Sequence, residues 1–517
     1  MSNSEFERIT VLPMDEYNQK LVANVHPENW INPQPAQCYD LVVIGAGTAG
    51  LVVAAGAAGL GIGLKVALIE KHLMGGDCLN VGCVPSKALI RSSRVIGEIW
   101  KAQNLGVNVS QNIDIDFADV MARLRKIRSG ISHHDSAARF KNLGVDVFLG
   151  SGKFIDKNTI DVDGQILKFK KAVIATGARA TKPQIQGLET AGYLTNETVF
   201  SLIQKPQKLA VIGGGPIGCE LAQAFRRLGC AVTLFHNGSH IVNKEDREAA
   251  EILQQVLINE GINLVLNCQL EKVEKVKEGK RLYFSNINNA NIDSITVDEI
   301  LVGAGRTPNI EGLNLEKVGV EYDQKQGVKV NDYLQTTNPN IYAAGDICMN
   351  WKFTHAADAA ARIVIKNTLF SPFGLGRSQL SKLIMPWVTY TDPEIAHVGM
   401  YAEEAEKQGL EIETIKIDFH NLDRAITDSE ETGFLKIHHQ KGTDKIIGAT
   451  IVASHAGEMI SEITTAIVNN IGLSKLSSVI HPYPTQAEAI KKAADAYRRT
   501  LLTSRTKKIL KFLTKFS

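Results

Sequence analysis

The pattern Gly-x-Gly-x-x-Gly occurs twice in this chain of 517 residues, each time directly behind a short apolar run. Gly45, Gly47 and Gly50 follow "DLVVI", and Gly213, Gly215 and Gly218 follow "KLAVI". An apolar run, a glycine turn, a small-residue helix and a second apolar run make a βαβ unit. The first glycine permits the turn, the second lets a pyrophosphate approach the backbone, and the third lets helix and strand pack closely. The helix N-terminus then faces the phosphate charge. Two such units make this an α/β chain with two Rossmann-like dinucleotide-binding domains. They also explain why Leu41 to Leu64 carries no charge: its seven glycines belong to the first unit, not to a membrane span.

The two units close differently. The second strand of the first ends in Glu70, whose carboxylate can accept hydrogen bonds from a ribose. The second unit ends at His236, followed by Asn237, Ser239, His240 and Lys244. A carboxylate there would repel a 2′-phosphate, whereas these side chains can hold one, so NADPH is expected over NADH.

Just past the first unit stands "GGDCLNVGCVPSK", Gly75 to Lys87, with Cys78 and Cys83 five positions apart. A structural bridge over so short a loop constrains the unfolded chain only modestly. A zinc site needs about four ligands, and no second cysteine–histidine pair accompanies this one. A redox pair needs a neighbouring cofactor and a helix N-terminus to favour the thiolate, and a helix is expected to begin near Cys83. The redox reading is the one adopted. Seven cysteines in such a length are too few for a disulfide scaffold, and no signal peptide opens the sequence, so a reducing, cytoplasmic setting is expected. The formal charge of +2 exerts no general pull toward nucleic acid.

With these motifs in order, the chain resembles the class I pyridine nucleotide–disulfide oxidoreductases, from about Tyr39 to Thr500. "AVIATGARA", holding Thr176 and Gly177, is similar to their flavin-domain exit strand; "LVGAGRTPN", holding Gly305 and Arg306, is similar to the return from the nicotinamide domain. "NIYAAGDIC" resembles the segment whose aspartate, here Asp346, binds the flavin, and "TYTDPEIAHVG" resembles the opening of their interface domain. The resemblance implies FAD in a domain of residues 39–186 and 303–376, NAD(P)H in a domain of 187–302, and an α+β dimerisation domain at 377–500. It further implies a homodimer whose active sites borrow residues from the partner's C-terminal segment. Cys83 would face the flavin and Cys78 would exchange with substrate. Lys87 and Glu220 would pair near the nicotinamide.

The segment "HPYPTQAEAI" bears on the substrate. Disulfide reductases of this family carry His-Pro-Thr-x-x-Glu; here Pro484, Thr485 and Glu488 match, but Tyr483 takes the histidine's place. A tyrosine of pKa about 10 is roughly a thousandth phenolate at neutral pH, and using it as a base costs about 4 kcal/mol. Mercuric reductases share this tyrosine. The expected activity is therefore reduction of Hg(II) or another soft metal ion, held transiently by Cys78, Cys83 and Tyr483. The vicinal cysteine pair that ends many mercuric reductases is lacking, as is the C-x-x-C module that some carry. A dihydrolipoamide dehydrogenase-like dithiol enzyme with His481 as base is the second expectation, and a non-catalytic flavoprotein binding module the third.

At the flanks, residues 1–38 are expected to form an arm packed on the domain surface, and the histidines of "SHHDS", 132–136, to be solvated. The tail 501–517 has five basic residues and no acid, with Ile509, Leu510, Phe512, Leu513 and Phe516 on one helical face. Such a segment can lie on an anionic membrane surface or pack on the partner subunit.

Overall fold

A computed structural model describes residues 9–110, 113–286 and 289–516, so the first eight residues of the arm and Ser517 of the tail lie outside the described residues. The first apolar runs form a parallel sheet in the order Val145–Leu149, Val66–Glu70, Tyr39–Ile44, Gln165–Ile174, Ile341–Ala343. Both faces are covered, which is why these strands are almost wholly apolar apart from the first half of Gln165–Ile174, which alternates buried and exposed residues. The helices Thr48–Ala58 and Thr354–Leu369 share the core on one face. Leu41 to Leu64 therefore splits into strand, helix and turn, and among the described residues no helix is long and apolar enough to cross a membrane.

The second unit builds its own four-stranded parallel sheet, ordered Asn263–Val265, Ala231–Phe235, Lys208–Ile212, Glu299–Val302. A three-stranded antiparallel sheet over Cys268–Val297 follows it. The chain leaves the first sheet along Ala178–Ala180 and returns along Arg306–Pro308, and these two segments pair antiparallel. Thr176 Oγ1 donates to the Asn309 carbonyl at 2.8 Å, and Asn309 Nδ2 donates back to the Thr176 carbonyl at 2.9 Å. The residues read as cofactor contacts at Thr176 and Gly177 thus also tie the two crossings together. The remaining part is a five-stranded antiparallel sheet, residues 386–453, backed by the helices Ala456–Val468 and Glu488–Thr500.

The N-terminal arm is more than a surface packing. Its helix Glu16–Val25 puts Leu21 and Val25 at zero exposure inside the first core. Buried Arg128 donates to Asn18 Oδ1 at 2.6 Å, and Arg125 pairs with Asp15 at 2.5 Å. The apolar spacing Leu21, Val22, Val25 drives this docking, and the proline- and asparagine-rich stretch behind it masks the signal in the sequence.

Candidate functional site

Both glycine turns have the same local geometry. A Cβ on Gly50 would lie 1.8 Å from the Gly45 carbonyl oxygen, and one on Gly218 would lie 1.8 Å from that of Gly213. Only the bare backbone lets each helix start so near its strand. Gly47 and Gly215 cap these helices without a side-chain hydrogen bond, leaving the first-turn N–H groups for a ligand. Glu70 accepts from the N–H groups of Ala46 at 2.7 Å and His72 at 2.8 Å, while burial pushes its carboxyl above the usual range.

The cysteine segment sits on the first turn. The Gly75 N–H donates to the Ala46 carbonyl at 2.8 Å, and a Cβ on Gly76 would stand 2.6 Å from Gly47 Cα. A short helix, Gly76–Asn80, carries Cys78, and a second, Cys83–Lys101, begins at Cys83 itself. Leu89 of the second helix shares one buried core with Phe225 of the other nucleotide unit and Ile395 of the five-stranded sheet, and Arg94 donates to Glu394 Oε1 of that sheet at 2.8 Å.

The two thiols differ in surroundings. Cys83 is open to solvent and lies 3.2 Å from Thr354 Oγ1. A hydrogen bond from Cys78 lowers its pKa; burial opposes this, and Thr354 and the charge of Lys87 reinforce it. Cys78 is pushed the other way, first by its hydrogen bond with Cys83 and then by burial. The pair is therefore asymmetric, with the negative charge on Cys83.

Lys87 Nζ donates to Glu220 Oε2 at 2.8 Å, and Glu220 Oε1 accepts the Tyr390 N–H at 2.9 Å. Lys87 also stands 4.5 Å over the Tyr390 ring. Burial works against the lysine charge, but Glu220 and Cys83 outweigh it and hold its pKa above the usual value. Lys87→Met is expected to move the alkylation profile of Cys83 in the reduced protein to higher pH. The iodoacetamide rate at neutral pH should fall by about three- to tenfold. Glu220→Gln removes a neighbouring anion and should move the profile to lower pH.

Arg306 pairs with Asp77, and its Nε faces Asp346 at 3.1 Å, buried and off hydrogen-bond alignment. Burial pushes the Asp346 carboxyl up, and Arg306 and Lys352 pull it back. His236 Nδ1 accepts the Gly214 N–H at 3.2 Å, so in the neutral ring the proton sits on Nε2. That Nε2 is buried without a well-formed partner, and burial lowers the ring's pKa. Asn237, Ser239 and Lys244 are exposed beside it. The two helix starts, uncapped by any side chain, fit the pyrophosphates of two dinucleotides.

A cavity of about 190 Å³ opens on the far side of Cys78, walled by Leu51, Val52, Leu79, Val84 and Ile131, with Asp135 at its edge. His133 and His134 are exposed, as their expected solvation requires. Asp135, from the same cluster, instead turns to this cavity, and burial raises its pKa. Sequence reasoning passed over Asp77, Asp135, Thr354 and Tyr390. Asp77, Asp135 and Tyr390 stood inside stretches already singled out, and only Thr354 did not; what gives each its place lies far along the chain. Among the described residues no group of three His, Cys, Asp or Glu is placed to hold a resident metal.

Tyr483 is 70% exposed, and its hydroxyl donates to Asp423 Oδ2 at 2.8 Å. Glu488, the other motif residue, starts the helix Glu488–Thr500 and adds its charge to that of Asp423. The Asp423 hydrogen bond and charge raise the phenol's pKa further above its usual value. His481 Nε2 contacts both Glu462 oxygens, at 3.0 and 3.2 Å, and its side chain is only 5% exposed.

The family model described as pyridine nucleotide-disulphide oxidoreductase matches residues 39–361, and that of its dimerisation domain matches 385–494. Mercuric reductase of Lysinibacillus sphaericus is 35% identical over 456 residues, 88% of this chain and 82% of the relative. Dihydrolipoyl dehydrogenase of Buchnera aphidicola is 34% identical over 486 residues, 91% and 98% of the two chains. Among solved structures, the Cu(II) complex of the HOCl-induced flavoprotein disulfide reductase RclA from Escherichia coli superposes with a TM-score of 0.76. It is 26% identical, covering 87% of this chain and 98% of that one.

Proposed function

The chain belongs to the pyridine nucleotide–disulphide oxidoreductase family, and from that premise we propose that it uses NADPH to reduce a soft metal ion, Hg(II) first and Cu(II) second, at Cys78 and Cys83. FAD, implied by the family, supplies the two-electron link between the pyridine nucleotide and the cysteine pair. Gly45, Gly47, Gly50, Glu70, Thr176, Gly177 and Asp346 would hold it. Gly213, Gly215, Gly218, His236 and Asn237 would hold the nucleotide, with Gly305 and Arg306 at the nucleotide site or the domain junction. The second unit ends at His236 and not at a carboxylate that would repel a 2′-phosphate, and Asn237, Ser239 and Lys244 are exposed beyond it, which supports NADPH. The domain limits drawn from the sequence, and a homodimer sharing its active sites, belong to the same proposal.

The chain's own groups divide the work. Lys87 and Thr354 keep negative charge on Cys83, and Cys78 presents its sulfur to the cavity beyond. Two soft sulfur donors grip a thiophilic cation, and Tyr483 of the partner subunit would add a neutral oxygen contact. The observation that carries this reading is the Tyr483–Asp423 hydrogen bond of 2.8 Å. A phenol held protonated cannot shuttle protons for a dithiol, and a metal substrate asks for no such shuttle.

A small apolar dithiol or disulfide is the second reading, favoured by the aliphatic wall of the Cys78 cavity. Against it, His481 is held by Glu462 and covered. NADPH and NADH oxidation measured with Hg(II), Cu(II), lipoamide and glutathione disulfide separates the two. Turnover is expected with the metals and preferentially with NADPH. Tyr483→Phe should leave metal turnover within about threefold, since a neutral phenol contributes no proton. Lipoamide turnover exceeding that with either metal would overturn the proposal.

A further inference from the structure

We propose that the C-terminal helix is a docking surface for an anionic lipid bilayer. The helix Ser504–Leu513 is a built element, with Thr503 capping it by accepting the Thr506 N–H at 3.2 Å. No residue of it is buried. Ile509, Leu510, Phe512, Leu513 and Phe516 are 46–77% exposed, and none joins a core cluster of the described residues.

At about 100° per residue, the four of these within the helix, Ile509, Leu510, Phe512 and Leu513, occupy a sector roughly 160° wide. Lys507, Lys508 and Lys511 fall on the opposite side, and Arg505, one charge inside the sector near its Phe512 edge, can extend its guanidinium to headgroup level. A helix this short is marginal in water on its own, so an uncovered apolar face of this width calls for a surface. At ten residues it is too short to span a bilayer. It can lie in the interface instead, with the phenylalanines and leucines among the acyl chains and the lysines at headgroup level.

Charge selects the occupant. The tail 501–517 holds five cations and no anion, so its polar side needs an acidic counter-surface. An anionic bilayer offers that surface and an apolar interior at the same depth. The dimerisation match ends at residue 494, before this helix begins.

The test is co-sedimentation of the full-length holoenzyme with vesicles of phosphatidylcholine, with or without phosphatidylglycerol. Binding is expected to be at least about tenfold stronger on the anionic vesicles and to weaken as salt rises. A Leu510→Gln, Phe512→Gln, Leu513→Gln variant keeps every charge, and it should lose sedimentation while retaining the dimer and its turnover. Deleting residues 501–517 should do the same. Equal sedimentation of the full chain and the deletion overturns the proposal. So does dissociation of the dimer in the glutamine variant, because the face would then be a subunit contact.

Discussion

Serine at either Cys78 or Cys83 is expected to reduce NADPH-dependent metal turnover by at least about a thousandfold, and the double variant should lose no more than either single one. The two sulfurs act as one unit: a single thiol can neither form the disulfide nor chelate the cation between two soft donors. The variants differ in what remains. Cys83→Ser removes the thiolate that Lys87 and Thr354 stabilise, so the acid-shifted alkylation phase should vanish. Cys78→Ser removes the thiol hydrogen bond that contributes most to that low pKa, so the remaining Cys83 phase should move to higher pH. Flavin content should match the parent in both, because neither sulfur lies in a glycine turn. Retained turnover in the double variant would remove the cysteine pair from the mechanism altogether.

Gly50→Val is expected to yield protein with almost no bound flavin, and its mirror Gly218→Val to yield protein that keeps flavin but is not reduced by NADPH. Each new Cβ would lie 1.8 Å from a carbonyl oxygen of its own turn, and the backbone has to open to admit it. Overpacking of this kind costs about 1–3 kcal/mol or more. The displacement falls on the N–H groups that face a pyrophosphate. The pairing makes the result interpretable: retained flavin in Gly218→Val reports an intact fold. Flavin absorbance per protein and anaerobic titration with NADPH read the two outcomes. Full flavin content in Gly50→Val would show that the first turn tolerates opening.

The divergent behaviour of the tail and the arm shows where sequence patterning stops. The sequence marks the tail as amphipathic and the arm only as a surface packing, yet Leu21 and Val25 are fully buried whereas Leu510 and Phe512 are 46% and 59% exposed. Periodicity tells which face is apolar; it does not tell whether anything covers that face.

The nucleotide turns and the cysteine helix were legible from residue order because their causes are local. A glycine turn, its strand and its helix lie within a few residues of one another, and a thiol at a helix start needs no distant partner to be recognised. The switch of Tyr483 for histidine was equally legible, being a change of side-chain chemistry at one position. The Lys87–Glu220 pair, 133 positions apart, was implied by the family resemblance. Tertiary structure alone decided the other groups that tune that chemistry: Arg306 and Asp77 lie 229 positions apart, and Cys83 and Thr354 271. Asp423 meets Tyr483 across 60 residues, and Asp135 turns from two solvated histidines toward Cys78. Such pairings follow from how three sheets pack around one helix. Burial and charge then set each proton affinity, and neither quantity exists until the chain has folded.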